Sequence, residues 1–162
     1  MSPRAAWRLE SLSFTRVYDY VAGKADWGSA GLPLEGTNSS ATRVAAYVRS
    51  DVPTCRLDDD LEAMRKRVRE ADWDTCFVVA ANDVVLGRLG RAAINSDESA
   101  TIEQAMTPGP STIRPSARLE DVVARMRSQN LSSLPVTTSD GRLVGLLMRE
   151  DAERPLAGAP QP

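Results

Sequence analysis

Cys55 and Cys76 are the two thiols of this sequence, and it has no histidine to activate either of them. A thiol nucleophile needs a base or a cationic neighbour that lowers its pKa. The missing imidazoles also remove the commonest ligand for zinc and related metals. The two cysteines lie too far apart for a redox or metal motif, and two are too few for a disulfide-stapled secreted scaffold. Buried thiols in a reducing cytoplasm are expected. No nucleophile with an activating base, no cluster of metal ligands and no phosphate-cradling Gly-rich loop stands in the sequence. The residues therefore predict a protein that is not an enzyme, with no metal site and no catalytic cofactor.

Arg65, Lys66, Arg67 and Arg69 form a basic run with apolar positions between them, which reads as a solvated helix face. The whole-chain balance is 20 Lys+Arg against 22 Asp+Glu, a formal net charge of -2. Such a chain offers no positive field for nucleic acid or an anionic membrane, and neither is expected as a partner. With 162 residues, 42% of them hydrophobic, the chain has room for one compact module. Met1 to Glu10 lacks the apolar stretch of a signal peptide, and no later run is long enough to span a bilayer. A soluble, cytoplasmic protein is expected.

These residues are positioned by an internal repeat. Sliding the chain by 58 positions brings Gly87 onto Gly145, Thr54 onto Thr112, Arg56 onto Arg114, Leu61-Glu62 onto Leu119-Glu120, Val78 onto Val136 and Leu89 onto Leu147. In the second copy, Leu119, Val122, Val123 and Met126 make one apolar helical stripe, with Ser116 as the expected N-cap. In the first, Leu61, Met64 and Val68 repeat the stripe behind Asp58, Asp59 and Asp60, whose charges suit the positive end of a helix. An apolar strand follows each helix, Cys76 to Ala80 or Leu134 to Val136. A polar turn, Asn82-Asp83 or Ser139-Asp140-Gly141-Arg142, then leads to a second strand.

Each unit reads strand, helix, strand, strand, closed by a short helix, and is too small to cover its own apolar faces. The expectation is an α+β fold of two tandem β-α-β-β-α repeats packed about a pseudo-two-fold axis. Helical lead-ins at Thr42 to Val48 and Thr101 to Met106 share the same register. The expected boundaries are an extension over 1–41, a first repeat over 42–95, a polar link, a second repeat over 100–154 and a disordered Pro/Ala/Gly tail over 155–162.

The second copy, with Met106-Thr107-Pro108, Leu134-Pro135-Val136 and Gly145-Leu146-Leu147-Met148-Arg149-Glu150-Asp151, resembles a CBS (cystathionine beta-synthase) domain, and the first resembles a degenerate partner. Two such copies in tandem resemble a Bateman module over about two thirds of the chain. That resemblance implies a regulatory protein that binds an adenosine-containing ligand (AMP, ADP, ATP or S-adenosylmethionine) between the repeats, forms a homodimer and acts on a separate, unidentified protein. The family's motif is Gly, two apolar residues, Thr or Ser, two residues, Asp, and its carboxylate accepts both ribose hydroxyls.

Carried over by residue, the resemblance implies a site at Gly145, Met148, Arg149 and Asp151, with adenine contacts at Thr112, Ile113, Leu134 and Val136, mostly through backbone atoms and apolar packing. Met148 stands where the hydroxyl belongs. In the first copy Gly90 and Ala93 replace the Thr and the Asp, so that half-site is expected to be dead. Arg149, with Arg91 from the facing copy, is the implied phosphate contact. Read from the residues alone, Asp151 serves equally well as a helix-terminal carboxylate, and Arg149 and Arg91 as exposed or ion-paired arginines. Pro155 shortens the closing helix relative to the family. Without a ligand, the same pair reads as a dimerisation or protein-docking module.

A second resemblance lies in Val17 to Gly36. Trp27 and the Gly31-Leu32-Pro33-Leu34-Glu35-Gly36 ending look like the closing turn of a rhodanese sulfurtransferase domain, a segment that also introduces actinobacterial CBS proteins. No cysteine precedes Cys55 to carry a persulfide, so the implied role is a remnant or a docking arm, with Trp27 as its apolar anchor.

Overall fold

The computed structural model describes residues 2–18, 20, 23, 27–28, 32 and 41–157. Helix α1, Ser2–Ser11, opens the chain. The first copy contains β2 (Thr54–Cys55), α2 (Leu61–Glu70), β3 (Cys76–Val79), β4 (Val85–Leu89) and α3 (Arg91–Asn95). The second contains α5 (Leu119–Ser128), β6 (Ser133–Thr137), β7 (Leu143–Met148) and α6 (Arg149–Ala157). A 3-10 turn at Val44–Tyr47 with β1 (Val48–Arg49) precedes the first copy, and α4 (Ile102–Ala105) with β5 (Thr107–Pro108) precedes the second. The expected mixed fold of two equivalent units is present.

Local chemistry sets the helix ends. Asp60 Oδ2 accepts from the Ala63 N–H at 2.7 Å and starts α2, which places Glu62 in its first turn and Arg67 and Arg69 in its last. The equivalent helix α5 begins with Arg118 at the cap position, not Ser116, and has no side-chain cap. There the lead-in supplies what a cap would: the Leu119 N–H donates to the Thr42 carbonyl at 3.0 Å, and Arg43 bridges to Arg118. Both helices leave through a residue in the left-handed region, Asp72 at φ 57° and Asn130 at φ 50°.

The lead-ins are exchanged between the copies. Strand β1 pairs antiparallel with β7 of the second copy, and β5 pairs antiparallel with β4 of the first. The sheets run β1-β7-β6, extended by a parallel bridge from Ile113 to Val136, and β2-β3-β4-β5. The cores follow the exchange. Val44 is buried with Leu119, Met126, Leu134 and Val136 of the second copy, while Ile102 is buried with Met64, Val68, Val78 and Leu89 of the first.

Phe77 and Val79 meet Leu146 in a third cluster between the two sheets. Arg88 pins this junction: its guanidinium lies 5.9 Å from the Phe77 ring centroid and donates to Thr75 Oγ1 at 2.8 Å and Ser133 Oγ at 3.2 Å. Thr75 and Ser133 occupy equivalent places in the two copies. The hairpin turns are joined too, through Val85 N–H to the Gly141 carbonyl at 3.1 Å and Leu143 N–H to the Asp83 carbonyl at 3.0 Å. The apolar face that each copy was expected to leave is covered by the other.

Two expectations about the ends need revision. Pro155 does not end the closing helix, because α6 continues through it to Ala157. Ala152 is fully buried in the second core and Leu156 packs against it, so tertiary packing outweighs the hydrogen bond that proline cannot make. The tail therefore cannot begin at 155, and residues 158–162 lie outside the described residues. Most of the segment from Val17 to Gly36 lies outside them as well. Of that segment, Tyr20 and Trp27 meet edge to face at 5.4 Å. Gly28 rests on Ser116 of the second copy, where an added Cβ would come within 3.1 Å of its Cβ.

Candidate ligand cleft between the two copies

Strand β7 ends at Met148 and α6 starts at once, with the Arg149 N–H donating to the Ser132 carbonyl at 2.9 Å. This places Asp151 in the first turn of α6, with its side chain only 16% exposed. Its partner comes from the exchanged lead-in: Arg49 Nε donates to Asp151 Oδ2 at 2.6 Å, and Arg49 Nη2 reaches Glu150 Oε1 at 2.9 Å. Arg154 Nη2 takes the other oxygen, Oδ1, at 3.2 Å. The bond from Arg49 holds the Asp151 carboxyl below the usual carboxylate range, and the same bond raises the Arg49 guanidinium. Both readings of Asp151 keep their footing: it is a carboxylate at a helix start, and it is a mostly covered acceptor facing a partly exposed cation.

Gly145 explains how Arg49 arrives there. An added Cβ would collide with the Arg49 carbonyl oxygen and sit 2.6 Å from Val48 Cγ1, so the residue must be glycine for β1 to lie against β7. Gly87 faces β5 less tightly: a Cβ there would meet the flexible end of the Met106 side chain and lie 3.2 Å from the Thr107 carbonyl oxygen. The motif glycine therefore lies against the exchanged strand in both copies, whether or not the copy retains its carboxylate, and is sterically required in the second.

Beside this ion pair lies a cleft of about 600 Å³ lined by Arg49, Asp51, Arg69, Ala71, Asp72, Trp73, Asp74, Arg91 and Met148. One wall is the end of β7 with the exchanged lead-in. The other is the loop between α2 and β3 together with the start of α3, all from the first copy. Trp73 and Met148 supply apolar surface, and Arg91 is paired with Asp74 at 2.6 Å. Arg91 thus lines the cleft from the first copy and is ion-paired there.

The structure divides the residues expected at the site. Met148 lines the cleft, Asp151 is joined to it through Arg49, which lines the cleft and pairs with the Asp151 carboxylate, and Arg149 follows Met148 without lining the cleft. Ile113, Leu134 and Val136 bury their side chains under α5 in the second core. The Ile113 N–H and carbonyl are spent on Pro135 and Thr137, at 3.0 and 2.9 Å. Thr112, half-exposed, immediately precedes them. The alternation of a strand explains the split: Leu147 faces the core, and Met148, its neighbour, faces the cleft. The wall opposite Met148 is built by Trp73 and Asp74, while Asp51 follows the exchanged lead-in beside Arg49; none of these four was among the residues expected at the site. The common register of the two lead-ins was the available signal, but its use required knowing that they are exchanged.

The first copy shows what replaces the carboxylate. Arg65 is 1% exposed, which corrects its reading as part of a solvated basic face. Its Nε donates to the Ala93 carbonyl at 2.8 Å and its Nη1 to the Glu98 carbonyl at 3.0 Å, and it also pairs with Glu62. Ala93 is the residue at the Asp position of this copy, so a buried guanidinium ties that turn to α2. The second copy has the apolar Val123 in place of Arg65. Cys55 and Cys76 are both buried in the first core, where the Cys76 thiol donates to the Phe77 carbonyl at 3.9 Å, and the neighbouring Cys55 thiol together with burial pushes the Cys76 thiol above the ordinary thiol range. Among the described residues, no helix is long and apolar enough to cross a membrane.

The exchanged lead-ins, paired sheets and inter-copy cleft define a CBS domain pair in fold. Residues 102–157 match the family model described as CBS domain. The CBS domain pair of protein MJ0100, in complex with 5'-methylthioadenosine and S-adenosyl-L-methionine, is similar at TM-score 0.60 and 21% identity, over 73% of this chain and 98% of that one. CBSX2, a CBS-pair protein from Arabidopsis thaliana, in complex with AMP, is similar at TM-score 0.61 and 20% identity, over 71% and 96%. In sequence, the chain is 25% identical over 118 residues to a homoserine O-acetyltransferase from Methanohalobium evestigatum. It spans only 24% of the length of that curated relative, and the match covers 71% of this chain.

Proposed function

We propose that this protein is a regulatory CBS pair that takes an adenosine-containing ligand in the cleft between its copies and passes the bound state to a separate protein. The observation that carries the reading is Asp151: a carboxylate held in the first turn of α6, mostly covered, and paired with Arg49, which lines a cleft large enough for a nucleoside. It can accept both ribose hydroxyls while Trp73 and Met148 offer apolar contact to a base. Two neighbours of the same fold support the class of ligand, one complexed with S-adenosyl-L-methionine and 5'-methylthioadenosine and the other with AMP. One molecule per chain is expected, since Gly90 and Ala93 leave the first copy without an acceptor. The protein is a homodimer in this reading, and its role is regulatory, not catalytic.

Calorimetry with AMP, ATP and S-adenosylmethionine on the whole chain tests it, repeated on Asp151→Ala. The expected result is a single site whose affinity falls by about tenfold or more in the variant, because a ribose hydroxyl left unpaired costs roughly 1 to 3 kcal/mol. Two equivalent sites, or binding indifferent to Asp151, would overturn the assignment. A second reading, the ligand-free docking module, is favoured by Met148 at the hydroxyl position and by the Arg49 pair that already satisfies Asp151. Silence toward all three ligands would favour it.

A further inference from the structure

Both oxygens of Asp151 are engaged in this structure, Oδ2 by Arg49 at 2.6 Å and Oδ1 by Arg154 at 3.2 Å. Each oxygen that a ribose hydroxyl would use thus already accepts from an arginine, so a ribose competes with Arg49 for the acceptor. We infer that Arg49 is an internal competitor of the ligand, a latch that closes the Asp151 acceptor until a ribose displaces its guanidinium; this rests on the ligand-sensing reading above.

Three observations make the latch reversible and confine it to a side chain. Arg49 already holds a second carboxylate, Glu150 at 2.9 Å on the same turn, so leaving Asp151 does not strand the charge. The Arg49 side chain is 39% exposed, which keeps the pair in the range of modest, salt-sensitive ion pairs instead of a buried lock. The Arg49 backbone, in contrast, is fixed: it pairs with Leu146 on β7 and lies against Gly145 so closely that no Cβ fits between them. Opening therefore rotates the guanidinium toward Glu150 and the cleft while β1 stays paired. The first copy has no counterpart, because Thr107 stands at the place of Arg49 and Ala93 at that of Asp151.

Adenosine is the probe that isolates the latch, since it carries the ribose without a phosphate that Arg49 could itself attract. Its affinity is measured by calorimetry on the whole chain at low and high salt, with AMP alongside. Arg49→Gln is expected to bind adenosine about fivefold more tightly than the wild type, the effect of removing an ion pair of this exposure. The wild type is expected to bind adenosine more tightly as salt rises, and the variant to be insensitive to salt. Arg49→Lys, which keeps the charge but cannot reach Glu150 and Asp151 together, should fall between them. The salt series on the wild type needs no variant to fold.

Equal or weaker adenosine binding by Arg49→Gln, with the wild type still binding, would remove the latch and leave the ligand-sensing reading intact. If neither protein bound adenosine or AMP, the ligand-sensing reading itself would fall, and the latch with it. Binding by the variant alone would support both.

Discussion

The two copies solve the same packing problem with opposite electrostatics. In the second, the polar group at the start of the closing helix is a carboxylate, paired with an arginine that reaches it from outside the copy and remains partly in water. In the first, the polar group is a guanidinium that comes up from below, on α2, and is sealed from solvent while it holds a backbone carbonyl of α3. A partly exposed ion pair exchanges partners cheaply, whereas a buried arginine spent on carbonyls cannot be withdrawn without leaving them unpaired. The polar group of the first copy is thus part of its packing, whereas that of the second sits in a pair whose arginine is partly in water. The positions involved, Ala93 and Asp151 or Arg65 and Val123, are matched pairs in the repeat, so the contrast arises from side chains alone.

The largest expected effect comes from separating the copies. Residues 100–162 expressed alone lack Val44 and β1, which fill the core and edge of the second sheet, and retain α4 and β5, which have lost theirs. The fragment is expected to show no cooperative unfolding transition in urea, whereas the whole chain unfolds in one step. A fragment with native-like cooperative stability would break the comparison at its root, since each copy would then be self-sufficient.

Next comes the buried guanidinium. Arg65→Val gives the first copy the side-chain class of the second, but leaves the Ala93 and Glu98 carbonyls without their donor. A loss of about 3 kcal/mol in the denaturation free energy is expected. The reciprocal Val123→Ala, a plain apolar truncation, should cost about 1 to 2 kcal/mol. Equal costs would mean that Arg65 acts only as volume.

The smallest effect sharpens the contrast through pH. The folded-state pKa of Asp151 is depressed, so the stability it contributes is present above the unfolded carboxylate value of about 3.9 and is lost as pH falls through the folded value. Wild type and Asp151→Asn should therefore differ by less than about 1 kcal/mol near pH 7 and converge once the pH falls below the depressed folded value. A gap that persists in acid would show that the ionised pair with Arg49 is not its source.

Much of this architecture is legible in the sequence because the repeat is written in buried residues, whose periodicity survives where charges vary. The helices α2 and α5, the paired strands and the covered sheet faces all follow from it. The exchange of lead-ins is not legible: β1 and β5 are two residues long and carry no periodicity of their own, so only tertiary pairing decides which sheet they join. Arg65 is hidden for a related reason, since one arginine among four basic neighbours announces neither its burial nor its carbonyl partners. Gly145 is legible as a required glycine but not for its cause, which is an approaching backbone. Pro155 misleads because its local penalty is outweighed by the burial of Ala152 and Leu156, and no window of sequence contains that comparison.

The exchanged lead-ins also decide how mechanical load would travel through the molecule. The repeat pair is entered through the 3-10 turn at Val44–Tyr47, which packs against α6, and α6 is where the described residues end. Tension applied between residues 41 and 157 is therefore borne by the β1-β7-β6 sheet and its closing helix, while the first copy hangs from that frame as an unloaded inner loop. A domain fused at either end would pull on, and be pulled by, the same copy, the one that carries Asp151.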